Sequence, residues 1–140
     1  MDLKGKTVVL TGASTGIGAA TALELSRAGC NLVLTSRRLE KLEALASTLP
    51  GPSVLLAADI AEAGTPEQLL ALAKKGFGRA DVVVNNAGVM AVGTMDTIDL
   101  DAVSYMIRVN FEAVVRSSYV FAREFRSQSS GAIINVSSIS

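Results

Sequence analysis

Residues 11–18 read TGASTGIG, and the way this stretch is read decides the fold. Before it lies KTVVL (6–10), rich in β-branched residues, and after it AATALELSRAGC (19–30) carries apolar residues at helical spacing until Gly29 closes the run. The stretch therefore joins a strand ending at Thr11 to a helix. Gly12, Gly16 and Gly18 let the backbone turn sharply and approach a bulky anion closely, while the helix beginning there aims free N–H groups and the positive end of its dipole at the same place. A pyrophosphate suits such a turn. The spacing is Gly-x-x-x-Gly-x-Gly rather than the Gly-x-Gly-x-x-Gly of many dinucleotide folds, and glycines here could also serve only close packing of strand on helix.

The same rhythm repeats outward from the turn. NLVLTS (31–36) reads as a second strand, and RLEKLEALASTL (38–49) as an amphipathic helix with Leu39, Leu42, Leu45 and Leu49 along one stripe, stopped by PGP. SVLLAADI (53–60) is the third strand. TPEQLLALAKKG (65–76) has Thr65 as N-cap, Pro66 at the first helical position, acidic and amide side chains in the first turn, and Gly76 as its stop. ADVVVNNAG (80–88) is a fourth strand and its exit loop, a long helix runs from about Leu100 to Arg126, and GAIINVSS (131–138) is the fifth strand. Strands that are continuously apolar and separated by helices indicate a parallel sheet covered on both faces. Right-handed crossovers make this an α/β, Rossmann-like, doubly wound sheet of about five strands in the order 3-2-1-4-5. No repeat or linker interrupts residues 1–140 apart from the loop MAVGTMDTIDL (90–100) between the fourth strand and the long helix, so one domain is expected.

Composition narrows the function. The 140 residues are 49% hydrophobic and 19% charged, enough to bury one core. Thirteen basic residues balance thirteen acidic ones, so no net field favours nucleic acid or an anionic membrane. Cys30 has no second cysteine to pair with and the chain has no histidine, which removes a disulfide, a zinc site and a Cys-His catalytic pair, and no metal is expected. Cys30 reads as a small core residue. The charged opening MDLKGK reads as neither a signal peptide nor a membrane span, and a reducing cytoplasm is the expected compartment.

Two motifs together make the chain resemble the short-chain dehydrogenase/reductase family. Its cofactor motif Thr-Gly-x-x-x-Gly-x-Gly is matched by Thr11, Gly12, Gly16, Ile17 and Gly18, and its Asn-Asn-Ala-Gly signature by Asn85, Asn86, Ala87 and Gly88. The resemblance runs from Lys4 to the last residue. It implies cofactor contacts from the turn (Gly12, Ser14, Thr15, Gly16, Ile17 and Gly18), from the loop Asn86, Ala87 and Gly88, and from Asp59 and Ile60 beside the adenine. It also implies catalytic roles for Asn110, within a backbone distortion of the long helix that holds a water, and for Ser138, which hydrogen-bonds the substrate oxygen. Asn85 and Asn86 have a plain reading as well, since such loops often satisfy backbone groups with their own side chains.

The tip of the second strand addresses which nicotinamide cofactor. An acid there pairs with the ribose 2′-hydroxyl and repels a 2′-phosphate. Here Ser36 stands in that place, followed by Arg37 and Arg38, so a hydroxyl and guanidinium groups face a phosphate dianion. NADP(H) is expected over NAD(H). The resemblance assigns the phosphate to Arg37, the residue directly after the acidic position, while a pair of arginines at a helix start can also be simple solvated charge.

The family's next element, Tyr-x-x-x-Lys, supplies the proton donor and the lysine that tunes it, and it does not occur in these residues. The two tyrosines, Tyr105 and Tyr119, lie in the long helix; Tyr119 has Arg123 at the same four-residue spacing and reads as a surface or interface contact. The chain is therefore expected to be the NADP(H)-binding portion of a short-chain dehydrogenase/reductase that transfers hydride between the nicotinamide and an alcohol or carbonyl substrate, truncated after the fifth strand and inactive alone. The alternatives are a non-catalytic NADP(H)-binding module and a structural or oligomerising fragment. A fifth strand left as an edge, and a long helix whose family counterpart packs on its mate, lead to the expectation of a homo-oligomer.

Overall fold

The computed structural model describes residues 2–138. Five strands form one parallel sheet in the order β3-β2-β1-β4-β5, as the sequence predicts: β1 (Thr7–Thr11), β2 (Asn31–Ser36), β3 (Ser53–Ala57), β4 (Val82–Asn85) and β5 (Ala132–Asn135). In-register pairs such as Leu10 with Leu34 and with Val84 tie the three central strands together. Their period of two divides the core. Val8, Leu10, Leu32, Leu34 and Val84 pack with Ala22 of α1 (Gly16–Arg27) and Leu42 of α2 (Leu39–Ala46) on one face. Val9, Val33 and Val83 pack with Leu69 and Ala73 of α3 (Thr65–Phe77) and Phe121 and Phe125 of α5 (Ala113–Ser127) on the other. A central strand that buries both faces must be apolar throughout, which is why β1 and β4 read as unbroken runs.

All five strand C-termini lie at one edge of the sheet. At the opposite edge the buried Asp81 carboxylate accepts from the Thr7 N–H at 2.9 Å and pairs with Arg79 at 2.8 Å and Lys6 at 3.8 Å. That cluster ties the start of β1 to the start of β4.

Several local expectations need correction. Thr65 is not the cap of α3: Gly64 holds that position, and the Thr65 hydroxyl donates to the Asp59 carbonyl at 2.8 Å instead. The helix passes through Gly76 and stops at Gly78, whose φ of +83° is the left-handed conformation that terminates helices. Leu39 remains exposed, because α2 begins there and only Leu42, Leu45 and Leu49 reach the core. β3 ends at Ala57, so Asp59 and Ile60 sit in the loop beyond it.

The long helix is three pieces. α4 (Leu100–Ile107) passes into a wider turn over Arg108–Glu112 before α5 resumes. At its end the Ala113 N–H bonds the Arg108 carbonyl, five residues back instead of four. Such a π turn inserts one residue into the helical repeat and leaves backbone groups out of the regular ladder.

Candidate active site at the carboxyl edge of the sheet

The turn from β1 into α1 is built by glycines used for different reasons. Gly12 has φ +64°, and a Cβ there would stand 2.7 Å from the Ala87 Cα and 3.1 Å from the Asn86 side chain. Gly16 has φ +55° with open space in front of it. Gly18 faces the Gly12 carbonyl so closely that a Cβ would collide with it. The first two positions need the left-handed backbone and the third needs room.

What this turn presents is an unsatisfied helix start. Thr15 precedes α1 in an extended conformation, no side chain caps the first turn, and no acid lies in it. The first-turn N–H groups and the positive dipole end therefore lack an internal side-chain partner, and Thr15, Ile17 and Gly18 line a cleft there.

The second motif locks onto the first. The Asn86 Nδ2 donates to the carbonyls of Thr11 (3.1 Å) and Gly12 (3.2 Å), while the buried Thr11 hydroxyl accepts from the N–H groups of Asn86 and Ala87, both at 3.0 Å. Asn86 thus shapes the cradle with its side chain and lines the cleft. Asn85 points the other way, donating to the Asn135 side chain at 2.8 Å across β4 and β5.

A cleft of about 300 Å³ opens above this edge. It is lined by Gly12, Ser14, Thr15, Ile17 and Gly18 of the turn, by Ser36, Arg37 and Arg38 after β2, by Asp59 and Ile60 after β3, and by Asn86, Ala87 and Gly88 after β4. Of the turn positions read from sequence, only Gly16 is not among its lining residues; it acts on the shape of the turn. A second cleft shares Ile17 and residues 86–89 with the first and continues to Met106, Asn110, Val136, Ser137 and Ser138. Asn110 and Ser138, far apart in sequence, are therefore in one cavity.

Asn110 lies in the π turn and grips the loop after β4. Its Nδ2 donates to the Val89 carbonyl at 2.8 Å and its Oδ1 accepts from the Val89 N–H at 2.9 Å. A mid-helix asparagine has found the partner that its modest helix propensity called for.

Sequence reasoning missed Tyr105 and Val109, which line the first cleft from α4 and the π turn. The Tyr105 hydroxyl donates to Asp59 Oδ2 at 2.9 Å and accepts from Arg37 Nη1 at 3.3 Å. Burial, and then the hydrogen bond and negative charge of Asp59, push the phenol above its usual range, with Arg37 acting the other way. The only advance signal was the spacing of Tyr105 and Val109, four residues apart on one helical face. Among the described residues no cluster of three or more His, Cys, Asp or Glu could hold a metal ion, and no helix is long and apolar enough to cross a membrane.

The residues present fit a dinucleotide. The uncapped helix start suits a pyrophosphate, the turn keeps its shape only with Gly12 and Gly18, where a Cβ would strike Ala87 or the Gly12 carbonyl, and arginines line the end where a ribose phosphate would lie.

Comparison with known proteins places this geometry. Residues 6–140 match the family described as short chain dehydrogenase. The chain is 35% identical to an uncharacterized oxidoreductase of Listeria monocytogenes over 99% of its own length and 57% of that protein. With an uncharacterized oxidoreductase of Staphylococcus saprophyticus it shares 37% identity, covering 99% and 56%. Among solved structures, a metagenomic short-chain oxidoreductase crystallised with NADP superposes with a TM-score of 0.91 at 35% identity, over 100% of this chain and 65% of that one. A short-chain type dehydrogenase/reductase from Mycobacterium marinum gives 0.90 at 28% identity, over 99% and 56%. The chain thus spans little more than half the length of the curated relatives it matches.

Proposed function

Because the chain belongs to the short-chain dehydrogenase family, we propose that it is the NADP(H)-binding portion of a cytoplasmic oxidoreductase acting on an alcohol or carbonyl compound. The observation that carries this reading is the continuity of the cleft, which runs from Arg37 over the glycine turn to Asn110 and Ser138. The nicotinamide, when bound, would donate hydride to a carbonyl or accept it from an alcohol. The chain's own residues bind and orient. The turn from Gly12 to Gly18 holds the pyrophosphate, Ser36 and Arg37 hold the 2′-phosphate, Asp59 and Ile60 flank the adenine, and the loop 86–88 closes the other side. Asn110 holds a water through the backbone opened by the π turn, and Ser138 orients the substrate oxygen.

The sequence contains no Tyr-x-x-x-Lys, and this favours a second statement: these residues alone bind without turning over. A positioned general acid contributes about two to four orders of magnitude in rate, and neither Tyr105, committed to Asp59, nor Tyr119, exposed on α5, stands in for it. Titration followed by nicotinamide fluorescence tests the binding, and absorbance at the nicotinamide band with a panel of aldehydes and ketones tests turnover. Saturable binding, tighter for NADPH than for NADH, with no oxidation is expected. Absent binding or a preference for NADH would overturn the cofactor assignment, and turnover by the purified chain would overturn the second statement.

A further inference from the structure

Tyr105 joins three parts of the chain that are distant in sequence: α4, the β2–α2 loop through Arg37, and the loop after β3 through Asp59. Its ring also receives two cations. Arg37 Cζ lies 5.9 Å from the ring centroid and Arg108 Cζ 5.7 Å, both within cation–π range. Asp59, the anchor of the arrangement, is itself fixed from its own loop: Oδ1 accepts from the Ala61 N–H at 2.9 Å and the carbonyl accepts from Thr65 at 2.8 Å. A carboxylate offers about four acceptor positions, so Asp59 can hold the phenol and still receive an adenine amino group.

We propose that Tyr105 is a positioning residue that makes the cleft select the 2′-phosphorylated dinucleotide, by holding the Arg37 guanidinium at the cleft end against the fixed Asp59. This rests on the NADP(H) reading above. Arg37 is an exposed side chain on a long stem that samples many rotamers when unrestrained. Restraint by the hydroxyl and the ring lowers the cost of ordering it on a ligand. That advantage is felt only by a ligand that uses Arg37, so NADP(H) gains and NAD(H) does not. A phenol is protonated throughout the neutral range in any case, and burial together with Asp59 pushes this one further up, so the hydroxyl stays a donor to Asp59.

Calorimetric dissociation constants for NADP+ and NAD+, measured on the full chain and on its Tyr105→Phe, Arg37→Ala and doubly substituted forms, test the inference. The phenylalanine keeps a ring and removes the hydroxyl. NADP+ binding is expected to weaken about three- to tenfold in Tyr105→Phe, NAD+ binding to change by less than about twofold, and the double substitution to lose little beyond Arg37→Ala alone. An equal loss for both dinucleotides, or losses that add fully in the double form, would mean that Tyr105 only packs α4 onto the cleft and would overturn the inference while leaving the NADP(H) reading standing. An unsubstituted chain without NADP+ preference would overturn that reading and the inference together. Because the ratio of the two constants is taken on the same folded molecules, reduced stability of a variant does not disguise the outcome.

Discussion

At the scale of single residues, Gly12 carries the heaviest constraint, with a left-handed backbone and the Ala87 backbone 2.7 Å from where a Cβ would be. Gly12→Ala is expected to cost about 1–3 kcal/mol in denaturant unfolding and to abolish dinucleotide binding, since the Ala87 loop must move. Thr11 beside it is nearly as constrained, because its hydroxyl serves two N–H groups and is itself buried. Thr11→Val leaves those donors unmet, and a loss of about 1–3 kcal/mol by the same measurement is expected. Cys30 shows the opposite case, a reactive group made inert: it is buried, its thiol lies 3.3 Å from the Leu3 carbonyl, and burial pushes its pKa up. At neutral pH it therefore holds less thiolate than a free cysteine, and alkylation of the native chain is expected to run at least about tenfold slower than of the denatured chain. Equal rates would contradict the buried placement. The glycines and Cys30 were legible in the sequence because their roles follow from residue type and local setting. Tyr105 was not, because its partners Asp59 and Arg37 lie 46 and 68 positions away and no local pattern announces them.

At the scale of elements, the starts of the strands were read to within about two residues, since an unbroken apolar run between turn residues has few other meanings, but the third and fifth strands end at Ala57 and Asn135, three residues before the apolar and serine-rich runs do. Helix ends were less legible. Thr65 and Gly76 have the right residue types for a cap and a stop, yet Asp59 competes for the Thr65 hydroxyl and Gly78, two residues on, takes the left-handed conformation. The π turn is invisible to periodicity, because one extra residue shifts the apolar face without breaking it. Its expectation came from resemblance and from Asn110. The paired hydrogen bonds between Asn110 and Val89 join this turn to the loop after β4. Asn110→Ala is expected to cost about 1 kcal/mol and to speed hydrogen exchange at the Val89 amide, while the β1 amides keep their protection. Unchanged exchange at Val89 would mean that the loop holds its shape without the clamp.

At the scale of the whole molecule, the parallel sheet gathers every signature at one edge, which is why motifs scattered from Thr11 to Ser138 meet in adjoining clefts. Alternating strands and helices with right-handed crossovers leave few topologies, and the order 3-2-1-4-5 was legible as that of the dinucleotide-binding fold to which the glycine turn points. One surface stands apart from the clefts. Ile107, Phe111, Val115 and Tyr119 are exposed at intervals of four along α4, the π turn and α5. Self-association through this stripe is the expected outcome, and Phe111→Lys is expected to move the chain toward monomer in sedimentation equilibrium; a chain that is monomeric before the substitution would contradict it. Binding of NADP(H) at the carboxyl edge is checked by amide hydrogen exchange with and without saturating NADP+. Slowed exchange is expected at residues 12–19, 36–38, 59–61 and 86–89, with the Asp81 end of the sheet unchanged. Protection located elsewhere, or none at concentrations that saturate related reductases, would contradict it.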